Sequence, residues 1–158
     1  MQHLINEIHK RLKKSRKTVA VAESCTAGLL STLLTQLPGS SQYFILGVVT
    51  YSNRAKEAIL KIPHSVIVKN GEISKIVATT MAQSIRKIAK TDFGIGITGI
   101  AGPTGGLPGI PVGTVFIAVD SKSKKVCKKS LFAGSRTTIR KKSALKALEL
   151  LYENFYRY

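Results

Sequence analysis

Residues 18–37 read Thr-Val-Ala-Val-Ala-Glu-Ser-Cys-Thr-Ala-Gly-Leu-Leu-Ser-Thr-Leu-Leu-Thr-Gln-Leu, and the reading of this stretch decides the fold. Its first part is a short apolar run with β-branched residues and predicts a strand over 18–23. Its second part is apolar and helix-length, and predicts a helix over 25–37. Ser24 therefore sits where a strand turns into a helix. A hydroxyl there faces the positive end of a helix dipole and free backbone N–H groups, which suits a nucleophile that must stabilise an oxyanion. Serine is also a preferred helix cap. Ala27 stands where a capping box wants Glu or Gln, so the capping reading gains no extra support.

Working outward, Leu4, Ile5, Ile8 and Leu12 recur at helical spacing and predict a first helix over 2–16. Pro38 to Ser41 is a turn, and residues 43–51 predict a strand. A short helix follows over 53–60 with Asn53 as its cap, then a loop over 61–71 with an extended piece at 66–68. Apolar residues at 73, 76, 77, 81, 85 and 88 mark a helix ending near Lys90, and 92–98 reads as a buried strand. Residues 112–120 and 125–132 read as two strands of a hairpin, and the last helix spans 137–156. Helix–strand alternation ending in a hairpin predicts one α/β domain, a three-layer α/β/α sandwich with a mixed sheet.

The chain has 158 residues and 44% hydrophobic composition, enough for one domain with a core. No apolar stretch is long enough for a membrane span, and the N-terminus lacks the order of a signal peptide. We therefore expect a cytosolic protein that does not engage membranes. Two cysteines, Cys25 and Cys127, make neither a disulfide framework nor a zinc pattern. Cys25 adjoins Ser24, but no histidine falls in a candidate site segment, so it reads as a small buried side chain. The net charge of +17 favours anionic ligands. Its lysine-rich clusters at 10–17 and 122–129 lack interleaved aromatics and read as solvated faces.

Gly94-Ile95-Gly96-Ile97-Thr98-Gly99 matches the dinucleotide fingerprint by letter only, because it lies within a strand. Three other segments can carry chemistry. Tyr51-Ser52-Asn53-Arg54-Ala55-Lys56 lies at a second strand-to-helix junction, so Lys56 and Ser24 can meet at one sheet edge. A lysine beside a serine serves as its base once burial or a nearby cation lowers its pKa from ~10.4; the alternative is an exposed helix lysine. Gly99 to Gly113 holds six glycines and three prolines, a loop whose N–H groups can approach a ligand. Gly134 to Arg140 places arginines and hydroxyls at a helix start, which suits either an anion or a cap.

These segments, in this order, resemble the CinA C-terminal-domain family, the PncC-type nicotinamide-nucleotide amidohydrolases. The matches are Ala22–Gly28, Pro38–Ser41, Val49–Lys56, Gly71–Ser74, Ile97–Gly106, Pro111–Val115 and Gly134–Arg140. The resemblance implies deamidation of nicotinamide mononucleotide to nicotinic acid mononucleotide and ammonia, in pyridine nucleotide recycling, without metal or cofactor. It makes Ser24 the nucleophile, Lys56 its general base and Tyr51 an assisting proton-transfer group. It places Cys25, Thr26, Gly28, Asn53, Thr98, Gly99, Gly102, Gly105 and Gly106 about the substrate. To these we add Arg136 or Arg140 against the phosphate, on charge. The chain departs from the pattern at Ala27, Leu46, Glu72-Ile73 and Ile110, and in its basicity. The expected form is a stand-alone domain, assembled as a dimer or larger. The other reading is a non-catalytic protein on the same fold, tied to DNA uptake or repair through its basic faces. Salt separates the two, since a binder with several phosphate contacts loses ~10³-fold or more in affinity between about 50 and 200 mM.

Overall fold

The structure, a computed structural model, describes residues 1–155. β1 (Val19–Glu23) is buried along its whole length because it lies between two parallel neighbours, β2 (Phe44–Val49) and β3 (Phe93–Gly99). A strand covered on both faces reads as a continuous apolar run rather than an alternation. β4 (Thr114–Ser121) pairs antiparallel with β3, and β5 (Lys125–Leu131) with β4. The sheet order is β2-β1-β3-β4-β5. Asp92 pins the starts of β1 and β3 together, accepting hydrogen bonds from Lys17 Nζ at 2.8 Å and the Thr18 N–H at 2.9 Å.

Helices cover both faces. α1 (Gln2–Ser15), α2 (Leu29–Leu34) and α6 (Arg136–Phe155) bury Ile8, Leu30 and Leu148 against Val21, Ile95 and Ile117. On the other face, α3 (Asn53–Leu60), α4 (His64–Asn70) and α5 (Lys75–Ala89) bring Leu60, Ile67 and Met81 onto Ala20 and Ala22. The chain is thus the three-layer α/β/α sandwich with a mixed sheet that its pattern predicts. Gly94 and Gly96 are packing glycines. A Cβ at Gly94 would run into the Ala82 carbonyl, and one at Gly96 into the Ala78 carbonyl, so α5 lies directly on β3.

Four local expectations change. The helix after β1 begins at Leu29 rather than 25 and ends at Leu34. Ser52, not Asn53, caps α3, its hydroxyl accepting from the Ala55 N–H at 3.1 Å. The predicted loop over 61–71 contains α4, because burying Ile67 beside Leu60 and Ile62 outweighs the extended preference of Val66, Ile67 and Val68. On α5 the buried face uses Ala78 and Ala82, leaving Ile76 and Ile88 exposed. The predicted end of the last helix, Tyr156, lies outside the described residues. β5 is an edge strand with Lys125, Lys128 and Lys129 exposed, a pattern that discourages pairing with another chain. Among the described residues no helix is long and apolar enough to cross a membrane.

Candidate active site

The turn after β1 is organised by the last residue of that strand. Ala27 (φ 48°) and Gly28 (φ 91°) take left-handed backbone, which keeps Ser24 to Gly28 out of the helix. Glu23 is fully buried, and its carboxylate accepts four hydrogen bonds. They come from the N–H groups of Gly28 (3.1 Å), Leu30 (3.1 Å) and Ser31 (2.8 Å), and from the Ser31 hydroxyl (2.6 Å). An internal anion therefore occupies the N-terminus of α2. The expectation that this terminus offers free N–H groups to an oxyanion at Ser24 is corrected by that carboxylate. The turn's own N–H groups, at Cys25 and Thr26, donate to no other described residue.

The C-terminal ends of β1, β2 and β3 converge on a pocket of about 220 Å³. In open α/β sheets this edge, where connections diverge from the first strand, is where ligands bind. Ser24, Tyr51 and Lys56 all line it. So do Cys25, Thr98, Gly99, Gly102, Gly105 and Arg136 from the expected binding set. Thr26, Gly28, Asn53, Gly106 and Arg140 are not among the lining residues. Thr26 is fully buried, and its carbonyl accepts from Arg140 Nε (3.3 Å) and Nη2 (2.9 Å). Arg140 thus braces the turn behind the pocket, and Gly28 gives its N–H to Glu23. Asn53 opens α3 with its Oδ1 buried and unpartnered, and Gly106 is exposed further along the loop.

Lys56 is only 1% exposed although it lies on a helix, so the exposed-lysine alternative does not hold. Its amine makes no hydrogen bond or ion pair with another described residue. Burial pushes its pKa below the ordinary lysine value, while the nearby Glu72 and Cys25 pull it back up. The Ser24 side chain, 7% exposed, likewise has no hydrogen-bond partner among the described residues. Tyr51 stands at the mouth, its hydroxyl accepting from Arg136 Nη2 at 2.7 Å, while Arg136 Nη1 donates to the Gly102 carbonyl at 2.9 Å. The Cys25 thiol is pushed up to about 12, chiefly by burial. It stays protonated near neutral pH and packs in the core cluster, as a small buried side chain.

Two acids escaped the reading of the sequence as site residues. Glu23 organises the turn; its signal was a carboxylate just before a Ser-Cys-Thr-Ala-Gly turn. Glu72 lines the pocket, and its signal was a charge where the family pattern has alanine. Thr98 links β3 to that segment, its hydroxyl donating to the Glu72 carbonyl at 2.8 Å.

A hydroxyl and a buried, unpaired amine in one pocket are the parts of a nucleophile–base pair. Fold and pocket thus define a class: a mixed-sheet α/β/α domain with a serine and a lysine at the edge where its parallel strands end. The family pattern of the CinA C-terminal domain matches residues 1–155, and the chain belongs to that family. A CinA-like protein of Syntrophotalea carbinolica is 45% identical over 148 residues, 94% of this chain and 36% of that protein. The chain spans about a third of the length of the curated relatives it matches (32–36%). The crystal structure of competence damage-inducible protein A from Klebsiella pneumoniae superposes with a TM-score of 0.95 at 30% identity, covering 99% of this chain and 97% of that one. A competence/damage inducible protein from Agrobacterium tumefaciens gives 0.93 at 33% identity, covering 96% and 93%.

Proposed function

We propose that this domain is an amidohydrolase that deamidates nicotinamide mononucleotide to nicotinic acid mononucleotide and ammonia. One observation carries the reading: Lys56, buried and unpaired, lines the same pocket as the unpaired Ser24 hydroxyl. Neutral Lys56 takes the Ser24 proton as the oxygen attacks the carboxamide carbon. The N–H groups of Cys25 and Thr26 are the donors nearest in sequence for the oxyanion. The proton passes to the departing nitrogen, ammonia leaves, and an ester to Ser24 remains. Water, deprotonated by Lys56, hydrolyses that ester and restores the hydroxyl. Tyr51, held by Arg136, relays protons at the mouth.

The pocket volume of about 220 Å³ lies below the ~300–1,000 Å³ that swallows a drug-sized ligand. The nucleotide's phosphate therefore projects to the mouth, where Arg136 is exposed. Arg136 lines the pocket and Arg140 braces the turn behind it, so Arg136 is the phosphate partner of the two. The test is ammonia release from nicotinamide mononucleotide by the purified chain, beside Ser24→Ala and Lys56→Ala. Release abolished by both substitutions supports the reading. A folded wild-type chain that releases none overturns it.

A further inference from the structure

Glu72 is the one Asp or Glu that lines the pocket among the described residues. It stands in the connection between α4 and α5, where Gly71 (φ 77°) turns the chain and Ser74 caps α5. Thr98 holds its backbone against the end of β3 at 2.8 Å. Its carboxylate makes no hydrogen bond or ion pair with a described residue and is exposed at the wall. A carboxylate so placed, on a chain of net charge +17, has no structural work that the fold reveals. It is free to meet a ligand.

The pocket therefore offers two opposite charges from different elements. The Arg136 guanidinium is fixed by Tyr51 and Gly102, and Glu72, its backbone carbonyl held by the Thr98 hydroxyl, brings a carboxylate to the same pocket. A pyridine nucleotide amide carries the matching pair: a ring made cationic by its quaternary nitrogen, and an anionic phosphate. We infer that Glu72 is the counter-ion of the cationic ring, a specificity-determining residue that favours the cationic amide over a neutral amide and over the carboxylate product. This rests on the proposed amidase reading. Hydrolysis turns the ring's carboxamide into a carboxylate, which the Glu72 carboxylate repels, so the same charge that draws in the substrate helps to expel the product.

Glu72 also acts on the base. Lys56 is faced by Cys25 from the turn after β1, Tyr51 from the end of β2, Arg136 from α6 and Glu72. Of these, Glu72 is the only carboxylate, and its charge favours protonated Lys56. Removing it lowers the Lys56 pKa and moves the acid limb of the rate profile to lower pH.

The experiment is steady-state kinetics of wild type, Glu72→Gln and Glu72→Asp. The substrates are nicotinamide mononucleotide and its reduced dihydro form, whose ring is uncharged while the phosphate is kept, with nicotinic acid mononucleotide as inhibitor. Glu72→Gln is expected to raise KM for the cationic substrate by about 10-fold, equivalent to about 1.4 kcal/mol. It should leave KM for the dihydro substrate unchanged, tighten product inhibition and shift the acid limb downward. Glu72→Asp should restore part of the discrimination. Equal effects on the two substrates, or none, overturn the inference while wild-type turnover leaves the amidase reading standing. A folded wild type that neither binds nor deamidates the nucleotide overturns both.

Discussion

Glu23 and Lys56 are buried charges that meet opposite treatment. Glu23 is 0% exposed and takes four hydrogen bonds from the start of α2; Lys56 is 1% exposed and takes none from the described residues. Asp120, a third buried charge, is paired with Arg86. Burying an ion without partners is costly, and a protein normally satisfies it or neutralises it. Glu23 is satisfied, which makes it structural. Burial pushes the Lys56 pKa down, which fits the base role proposed for it. The fold thus uses one buried charge to shape the turn and leaves the other unbalanced at the pocket, where the proposed mechanism places a base.

The largest effect should come from removing the unbalanced charge. Lys56→Met is expected to cut ammonia release by about 10³-fold or more. Thermal melting of the same variant should show stability unchanged or raised by about 1–4 kcal/mol, since a buried unpaired charge has been replaced by an apolar chain. A large loss of stability would show that Lys56 has a structural partner after all.

Glu23→Ala should do the reverse in its primary effect. Three N–H groups and a hydroxyl lose their acceptor, and denaturant unfolding should show a loss of about 3 kcal/mol or more. Activity should fall with it, because Ser24 rides on the turn that Glu23 holds.

The two charges also differ in their response to pH. Lys56 has a folded-state pKa below its unfolded value, so the unfolded chain binds the extra proton between the two. Stability should therefore rise with pH through that window, and Lys56→Met should remove this part of the slope in melts taken across alkaline pH. On the proposed mechanism the rate should rise with pH through the same folded-state pKa, as Lys56 loses its proton.

Smaller effects should come from the supports of the turn. Arg140→Lys gives up a two-nitrogen grip on the Thr26 carbonyl and should cost about 1 kcal/mol in denaturant unfolding. Cys25→Ala should keep its turnover and lose about 1 kcal/mol, which steady-state assays and melts together check.

Much of this was legible in the chain because it rests on local pattern. The apolar run of β1, the stripe of α5, the hairpin and the long last helix are periodicities that neighbouring residues create on their own. The candidate residues Ser24 and Tyr51 follow strand ends, Lys56 lies in the helix after the second of them, and strand ends of a parallel sheet share an edge. What escaped depends on contacts between distant segments. α4 forms because Ile67 finds the Leu60 and Ile62 cluster, against its local preference. α2 starts late because Ala27 and Gly28 take left-handed backbone, and the Glu23 carboxylate then caps its first N–H groups. Arg136 and Arg140 lie one helical turn apart, yet one faces the pocket and the other braces the turn behind it.

The division follows the range of the forces. Side-chain periodicity and turn chemistry act over a few residues, so element order, sheet type and the placing of the serine and the lysine just after strand ends can be read along the chain. Whether a charge ends up satisfied depends on which backbone and side-chain groups arrive from elsewhere. No spacing in the sequence states that Glu23 meets four donors, that Lys56 meets none, or that Glu72 shares a pocket with both Lys56 and Arg136. Packing three layers around one sheet edge settles those environments, and with them the chemistry that each residue can perform.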